Sequence, residues 1–331
     1  MKPYLSIVIA TYNSAKTLPA LLNSVLASKI KNYELILVDD GSTDETREVV
    51  QKFKKVGYFC IENSGPGKAR DFGAQKAKGE ILVFFDSDVV LFPETLKNIV
   101  KAFAKEEVKA VTGIWDKKQK RRDFFPRYKA LRDWSYWLNE DFGKFSYLFS
   151  TRVAAIRKKT YQEVGGFIQE EKGRDALEDI NISFRINRQN FIYFDPKIKV
   201  RHEFGDYKEL IEKYFKRSFK WTKIFLLYRK LNRTVITPWE AVAGMVIVLS
   251  LVFWFLGIVW PPFWLVALGL LLFHLYLERR FLAFVFREEG LIFTIKSVLV
   301  GFIIYPTIYA GAGFSLLHSG LRFLKKGFLA L

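Results

Sequence analysis

The chain has 331 residues, 50% of them hydrophobic and 17% aromatic, with a formal net charge of +18. That length holds one or two domains and buries a substantial core. The single cysteine, Cys60, excludes an internal disulfide and fits a reducing compartment, while the charge leaves nucleic acid, an anionic membrane surface or a phosphorylated substrate as partners.

Met1-Lys2-Pro3-Tyr4 runs straight into a strand pattern, so no signal peptide is expected. "LSIVIATYN" (5–13) reads as a buried strand. "AKTLPALLNSVLA" (15–27) has helical spacing, with Ser14 as its N-cap. "YELILVDDGS" (33–42) is a second strand and "TDETREVVQKF" (43–53) a second helix. "YFCIEN" (58–63), a Gly-rich loop and a further helix lead to the apolar strand "ILVFFDSD" (81–88). This βαβαβα order predicts a right-handed parallel sheet with helices on both faces. Ligands bind such sheets at the carboxyl ends of the strands. The polar residues collect there: Thr11-Tyr12-Asn13, Asp39-Asp40 and Asp86-Ser87-Asp88.

The last group points to chemistry. If the strand stays extended, Asp86 and Asp88 project to one side and Ser87 to the other. Two carboxylates so placed repel each other unless a cation lies beside them. Oxygen ligands with few protein contacts suit Mg²⁺ or Mn²⁺. A D-x-D taken by itself is equally consistent with a turn or a helix cap.

Taken in order, "TYN" (11–13), "VDDGSTD" (38–44), "NSGPGKARDFGAQKAKG" (63–79) and "DSD" (86–88) resemble the nucleotide-sugar half of the family-2 glycosyltransferases, which have the GT-A fold. "YQEVGGFIQE" (161–170) and "LEDINISFRI" (177–186) resemble that family's acceptor half. The resemblance spans roughly residues 4–205. It implies an α/β fold: a Rossmann-like GT-A domain over residues 1–205 that binds a UDP- or GDP-sugar. It also implies that Thr11, Tyr12, Asn13, Asp39, Asp40, Gly65, Arg70 and Asp86 bind the donor, with Gly65 and Gly67 letting backbone come close. Asp88 and Asp86 would hold Mn or Mg, a Lewis acid for the leaving diphosphate; His202, on "KVRHEF", is a further candidate for the metal or the diphosphate, since neutral imidazole is a common ligand, and is equally consistent with a structural role. Asp179 would be the base that deprotonates an acceptor hydroxyl, with Glu178 beside it. Attack from the face opposite the diphosphate inverts the anomeric centre. Processive relatives carry a Q-x-x-R-W signature; "KYFKRSFKW" (213–221) departs from it, favouring addition of one sugar at a time.

Composition changes near residue 235. "AVAGMVIVLSLVFWFLGIVW" (241–260) carries no charge, long enough to cross a bilayer core of about 30 Å at about 1.5 Å per residue. Pro261-Pro262 forces a turn, and "FWLVALGLLLFHLYL" (263–277) is the expected return. A third apolar run, 291–317, contains Lys296 and Pro306. Residues 206–235 are then basic juxtamembrane helices, and 236–331 a transmembrane region of two or three spans plus an interfacial helix. Nine basic residues against two acidic ones in 208–233 put the catalytic domain on the cytoplasmic side of the cell membrane. The basic stretches 116–133 and 208–233 match anionic lipid better than nucleic acid, because they adjoin these segments. Arg127, Arg217 and Lys220 are candidates for a lipid phosphate. Two acceptors compete: a hydroxyl on a lipid-linked saccharide or glycolipid, and polyprenyl phosphate itself. A phosphate needs no general base, so the Glu-Asp pair favours the hydroxyl. A lipid-carrier or flippase partner with a vestigial transferase domain is the non-enzymatic alternative.

Overall fold

In the computed structural model, residues 4–139, 145–146, 148–167, 178–228 and 238–328 are described. They divide into two compact units, Met1–Lys120 with Asp141–Glu203, and Arg121–Glu140 with Phe204–Leu331.

The first unit is built on a nine-stranded mixed sheet in the order β3-β2-β1-β4-β8-β6-β9-β5, with β7 paired to β9. The strands are β1 (Leu5–Thr11), β2 (Tyr33–Asp39), β3 (Val56–Cys60), β4 (Ile81–Asp86), β5 (Val89–Leu91), β6 (Ala110–Trp115), β7 (Phe145–Ser146), β8 (Val153–Arg157) and β9 (Ile192–His202). The first four lie parallel, as the alternation of strand and helix requires. The sheet then departs from the all-parallel expectation, because β8 runs antiparallel to both β4 and β6. Strands β1 and β4 are apolar on both faces and fully buried through Leu5, Ile7, Val8, Ile9 and Ile81 to Phe85, the pattern of strands covered on each side. On one face, Val8, Val38, Leu82 and Phe84 pack with Phe149, Tyr161 and Phe167.

Two helices begin later than their sequence spacing predicts. Helix α1 (Leu18–Leu26) has Thr17, not Ser14, at its N-cap. The Ser14 backbone N–H donates to Thr46 Oγ1, and its hydroxyl lies 2.8 Å from that of Ser87. Pro19 then suits the first turn, where its missing N–H costs nothing. Helix α2 (Thr46–Gln51) starts where Asp44 Oδ1 accepts the Thr46 N–H, at 3.1 Å. Helix α3 (Pro66–Lys76) lies flat on the sheet at Gly73, where an added Cβ would come within 2.4 Å of Val8. Helices α4 (Thr95–Phe103), α6 (Lys158–Glu163) and α7 (Glu178–Gln189) complete this unit.

The second unit is helical: α5 (Phe124–Asn139), α8 (Tyr207–Tyr228), α9 (Pro238–Leu256), α10 (Phe263–Glu289) and α11 (Leu291–Phe328). Its core joins Tyr128 and Leu131 of α5, Leu210 of α8, Phe281 and Val285 of α10, and Phe293, Val300 and Ile304 of α11. Among the described residues, two helices are long and apolar enough to cross a membrane, over Trp239–Leu256 and Leu291–Ser319. The expected second span (263–277) lies in α10, which is not one of them, since it continues through Glu278, Arg279 and Arg280 to Glu289. Pro306 does not end the third run, which stays helical for 38 residues. The linker 229–237 lies outside the described residues.

Candidate active site

The carboxyl ends of β1, β2 and β4 are stitched together by side chains from the loops that follow them. Asn13, the one described non-glycine residue with positive φ (51°), accepts the Thr43 N–H at 2.8 Å. Its own N–H donates to Ser42 Oγ at 2.9 Å. Asp39 accepts the Ser42 N–H at 2.9 Å and the Tyr58 hydroxyl at 2.7 Å. Asp40 is buried, and both its oxygens are spent on backbone, accepting from Ser64 at 2.7 Å and Gly65 at 2.9 Å. Gly65 holds φ at 97°, a conformation that suits glycine, immediately before α3. Asp40 therefore shapes the Gly-rich loop, while Asp39 stands at the strand end beside it. Thr11 is buried at the end of β1, and Tyr12 is exposed after it.

Strand β4 ends at Asp86, and Ser87-Asp88 form a turn. The alternation that would send Asp86 and Asp88 the same way is broken, and the two carboxylates have different partners. Asp86 Oδ1 accepts from Arg70 at 2.7 Å. The other arm of Arg70 reaches Glu178, also at 2.7 Å. Burial alone would lower the Arg70 pKa, but Asp86, Glu178 and Asp179 raise it above its ordinary value. One buried guanidinium thus joins the D-S-D turn to the E-D pair. Glu178 and Asp179 open α7, where carboxylates suit the positive helix end. Asp179 Oδ1 accepts the N–H of Ile180 at 2.9 Å. Leu177, the first residue of that motif, lies outside the described residues, as do residues 168–170.

Asp88 Oδ2 lies 3.3 Å from His202 Nε2. Register explains the meeting: β5 pairs Val89 with His202, and Asp88 directly precedes Val89. Burial raises the Asp88 pKa, but the hydrogen bond and charge of His202, together with Arg152, bring it below its ordinary value. An ionised carboxylate beside an imidazole fits a divalent cation such as Mn²⁺, with positions left for phosphate oxygens. Asp86, turned to Arg70, is not part of that pair, and no group of three or more His, Cys, Asp or Glu side chains stands together among the described residues.

The lipid-phosphate candidates lie in the second unit. Arg127 donates from Nε to Glu289 at 2.9 Å and lies over the Phe293 ring. Arg217 and Lys220 are half-buried on α8.

Sequence spacing missed Tyr58, which holds Asp39, and Arg152, whose charge reaches Asp88. It also missed Asp71, which accepts from the Tyr161 hydroxyl and from the Phe167 N–H at 2.8 Å. A tyrosine two residues before Cys60 and an arginine in the turn before a strand give no local signal.

Residues 6–165 match the model of Glycosyl transferase family 2. That segment belongs to the family. The transferase segment is 37% identical, over 112 residues, to an uncharacterized glycosyltransferase of Nostoc sp., covering 32% of this chain and 35% of that one. It is 36% identical over 106 residues to WfaP of Escherichia coli, a UDP-Glc:alpha-D-GlcNAc-diphosphoundecaprenol beta-1,3-glucosyltransferase, covering 31% of this chain and 42% of that protein. The chain thus spans well under two thirds of both. The fold resembles that of the mannosyltransferase PcManGT from Pyrobaculum calidifontis, solved with GDP-Man and Mn²⁺, at a TM-score of 0.57 and 18% identity over 96% of this chain and 88% of that one. The first unit is a mixed α/β, Rossmann-like GT-A domain.

Proposed function

We propose that the protein is a membrane-bound, inverting glycosyltransferase that moves one sugar from a nucleotide-sugar donor to a hydroxyl of a lipid-linked saccharide or glycolipid. The observation that carries this reading is Arg70, which ties Asp86 of the donor motif to Glu178 of the acceptor motif. Donor and acceptor groups then share one buried support. In this reading the donor lies across the ends of β1, β2 and β4. Asp39 accepts from the nucleoside, with Thr11, Tyr12 and Asn13 around it. Asp40 and Gly65 shape the loop that approaches the nucleotide. Asp88 and His202 would hold Mn or Mg, which supplies charge neutralisation at the leaving diphosphate. Asp179 takes the proton of the acceptor hydroxyl as its oxygen attacks the anomeric carbon.

The membrane part of the reading rests on the second unit. Helix α9 has 19 residues, about 28 Å at about 1.5 Å per residue. Large apolar side chains are exposed on α9, on α10 and in the turn between them, among them Trp254, Leu265 and, in the turn, Trp260 and Val259, the last at 86% exposure. Apolar patches of this extent mark a surface that meets lipid or protein. The catalytic unit is then cytoplasmic, by the basic residues that precede α9. A second reading, polyprenyl phosphate as the acceptor, draws on α8. There Arg217 and Lys220 accompany exposed Phe215, Phe225 and Leu226, which suits an anionic headgroup layer. The name of WfaP is consistent with a diphosphate-linked lipid acceptor, and the GDP-Man and Mn²⁺ of PcManGT with this donor and metal.

The test is a donor screen. The detergent-purified chain is incubated with Mn²⁺ or Mg²⁺, a panel of UDP- and GDP-sugars, and either polyprenyl phosphate or a membrane lipid extract. Nucleoside diphosphate release that needs metal, one donor and the extract supports the hydroxyl acceptor; release with polyprenyl phosphate alone supports the second reading. In Asp179→Asn, transfer to a hydroxyl should fall by about 10²- to 10⁴-fold with donor affinity kept. Unchanged transfer in that variant would remove Asp179 as the base.

A further inference from the structure

The D-S-D turn faces an arginine that no motif announces. The last residue pair between β4 and β8 is Phe85 with Val153. One residue further on lie Asp86, which ends β4, and Arg152, in the turn just before β8. Arg152 therefore stands at the same sheet end as the Asp86–Asp88 turn. Its guanidinium carbon lies 4.7 Å from the centroid of the Trp115 ring. Trp115 is a firm platform: it ends β6, is buried, and pairs with Val200, two residues before His202 on β9. Gln119 Nε2 donates to the His202 carbonyl at 3.0 Å and tightens the same corner. A guanidinium over an aromatic ring keeps its full charge, which the electron-rich face of the ring favours. Arg152 also stands near enough to Asp88 for its charge to favour that carboxylate.

Charge balance gives this placement a purpose. A departing nucleoside diphosphate carries several negative charges, and Asp86 and Asp88 add two more at the same strand end. Arg70 is already committed to Asp86 and Glu178. One divalent ion at Asp88 and His202 leaves that sum negative, and Arg152 adds a positive charge at the same sheet end. We propose that Arg152, stacked on Trp115, binds the diphosphate of the nucleotide-sugar donor and stabilises its charge as it leaves. This assignment rests on the donor reading above. In the transfer, the bond from the anomeric carbon to the diphosphate oxygen breaks, and its electron pair stays on that oxygen. The acceptor oxygen bonds to the carbon, and its proton passes to Asp179. Arg152 exchanges no proton; it donates hydrogen bonds that strengthen as charge grows on the departing oxygens.

The experiment is calorimetric titration of the full detergent-purified chain in Mn²⁺ with UDP, UMP, GDP and GMP, using wild type, Arg152→Ala and Arg152→Lys. For whichever base the wild type accepts, Arg152→Ala should bind the diphosphate about 10- to 100-fold more weakly, while the monophosphate changes by less than about 3-fold. Arg152→Lys should recover part of the loss, because it restores the charge without the flat fork. A merely structural arginine would weaken both nucleotides alike, and that result overturns the assignment. So does unchanged diphosphate affinity in Arg152→Ala while wild type binds well, which leaves the donor reading standing. If diphosphate affinity is kept and only the KM for polyprenyl phosphate rises, the arginine serves the acceptor and the assignment fails. Wild type that binds neither diphosphate overturns the donor reading and this assignment with it.

Discussion

Each unit buries an arginine between two carboxylates, and the two clusters differ in what surrounds them. In the helical unit, Arg132 of α5 is held by Glu278 of α10, with its Nη2 also 2.6 Å from the Tyr305 hydroxyl of α11 and 3.5 Å from Glu240 of α9. Tyr305 in turn donates to Glu278 at 3.1 Å. The Arg132 guanidinium also packs over the Phe281 ring at 4.5 Å. Glu278 keeps 8% of its side-chain surface exposed. In the transferase unit, Arg70 has the same two-carboxylate arrangement, but Asp86 keeps 28% exposed and sits at the open end of the sheet. The sealed cluster joins side chains from four helices, α5, α9, α10 and α11, so its worth is in fixing their register. The open cluster leaves the Asp86 carboxylate partly exposed at the carboxyl end of the sheet.

The sealed cluster should respond most to substitution. Arg132→Met leaves Glu278 buried without its counter-charge, which costs about 3–5 kcal/mol. Denaturant unfolding of the detergent-solubilised chain measures it. Adding Glu278→Leu should return much of the loss, since the second change removes the stranded charge. If Arg132→Met unfolds like wild type, the two clusters do not differ as argued. Arg70→Met should cost less stability, about 1–3 kcal/mol, because Asp86 can turn to water. Its main effect should fall on transfer, with diphosphate release lost while the helical unit melts as before. A loss of stability equal to that of Arg132→Met would erase the distinction between an open cluster and a sealed one.

The parts of this contrast were unevenly legible in the sequence. Strands β1, β2 and β4 were readable because unbroken apolar runs bounded by turn residues admit few other structures. Asp39, Asp40, Asp86 and Asp88 were found because they end such runs. Their partners were hidden: Glu178 is 108 residues from Arg70, and Gly65 is 25 from Asp40. The bridge between D-S-D and E-D is a tertiary fact, and so is the pairing that brings His202 to Asp88. The same limit explains the strand alternation that failed at Ser87, where the turn follows from the β5–β9 pairing rather than from local preference. In the helical unit, hydropathy located α9, but it stopped the second span at Glu278, because a glutamate reads as an end until Arg132 is seen beside it.

The smallest expected effect is also the sharpest probe of the open cluster. Asp71 follows Arg70 on α3, yet its carboxylate goes elsewhere, to Tyr161 and to the Phe167 backbone. Burial raises the Asp71 pKa, and the hydrogen bonds from Tyr161 and Phe167, with the charges of Arg185 and Arg70, offset that only in part. The folded chain therefore holds the Asp71 proton more tightly than the unfolded chain does. Stability from this group is full below the usual value of 3.8 and is lost as pH rises through the folded value above it. Asp71→Asn removes that titration while its amide oxygen still accepts from Phe167. The thermal midpoint of wild type, relative to the variant, should therefore decline as pH rises through that window and then level off. A constant difference between the two would mean that Asp71 ionises alike in both states, and that burial does not hold its proton in the folded chain.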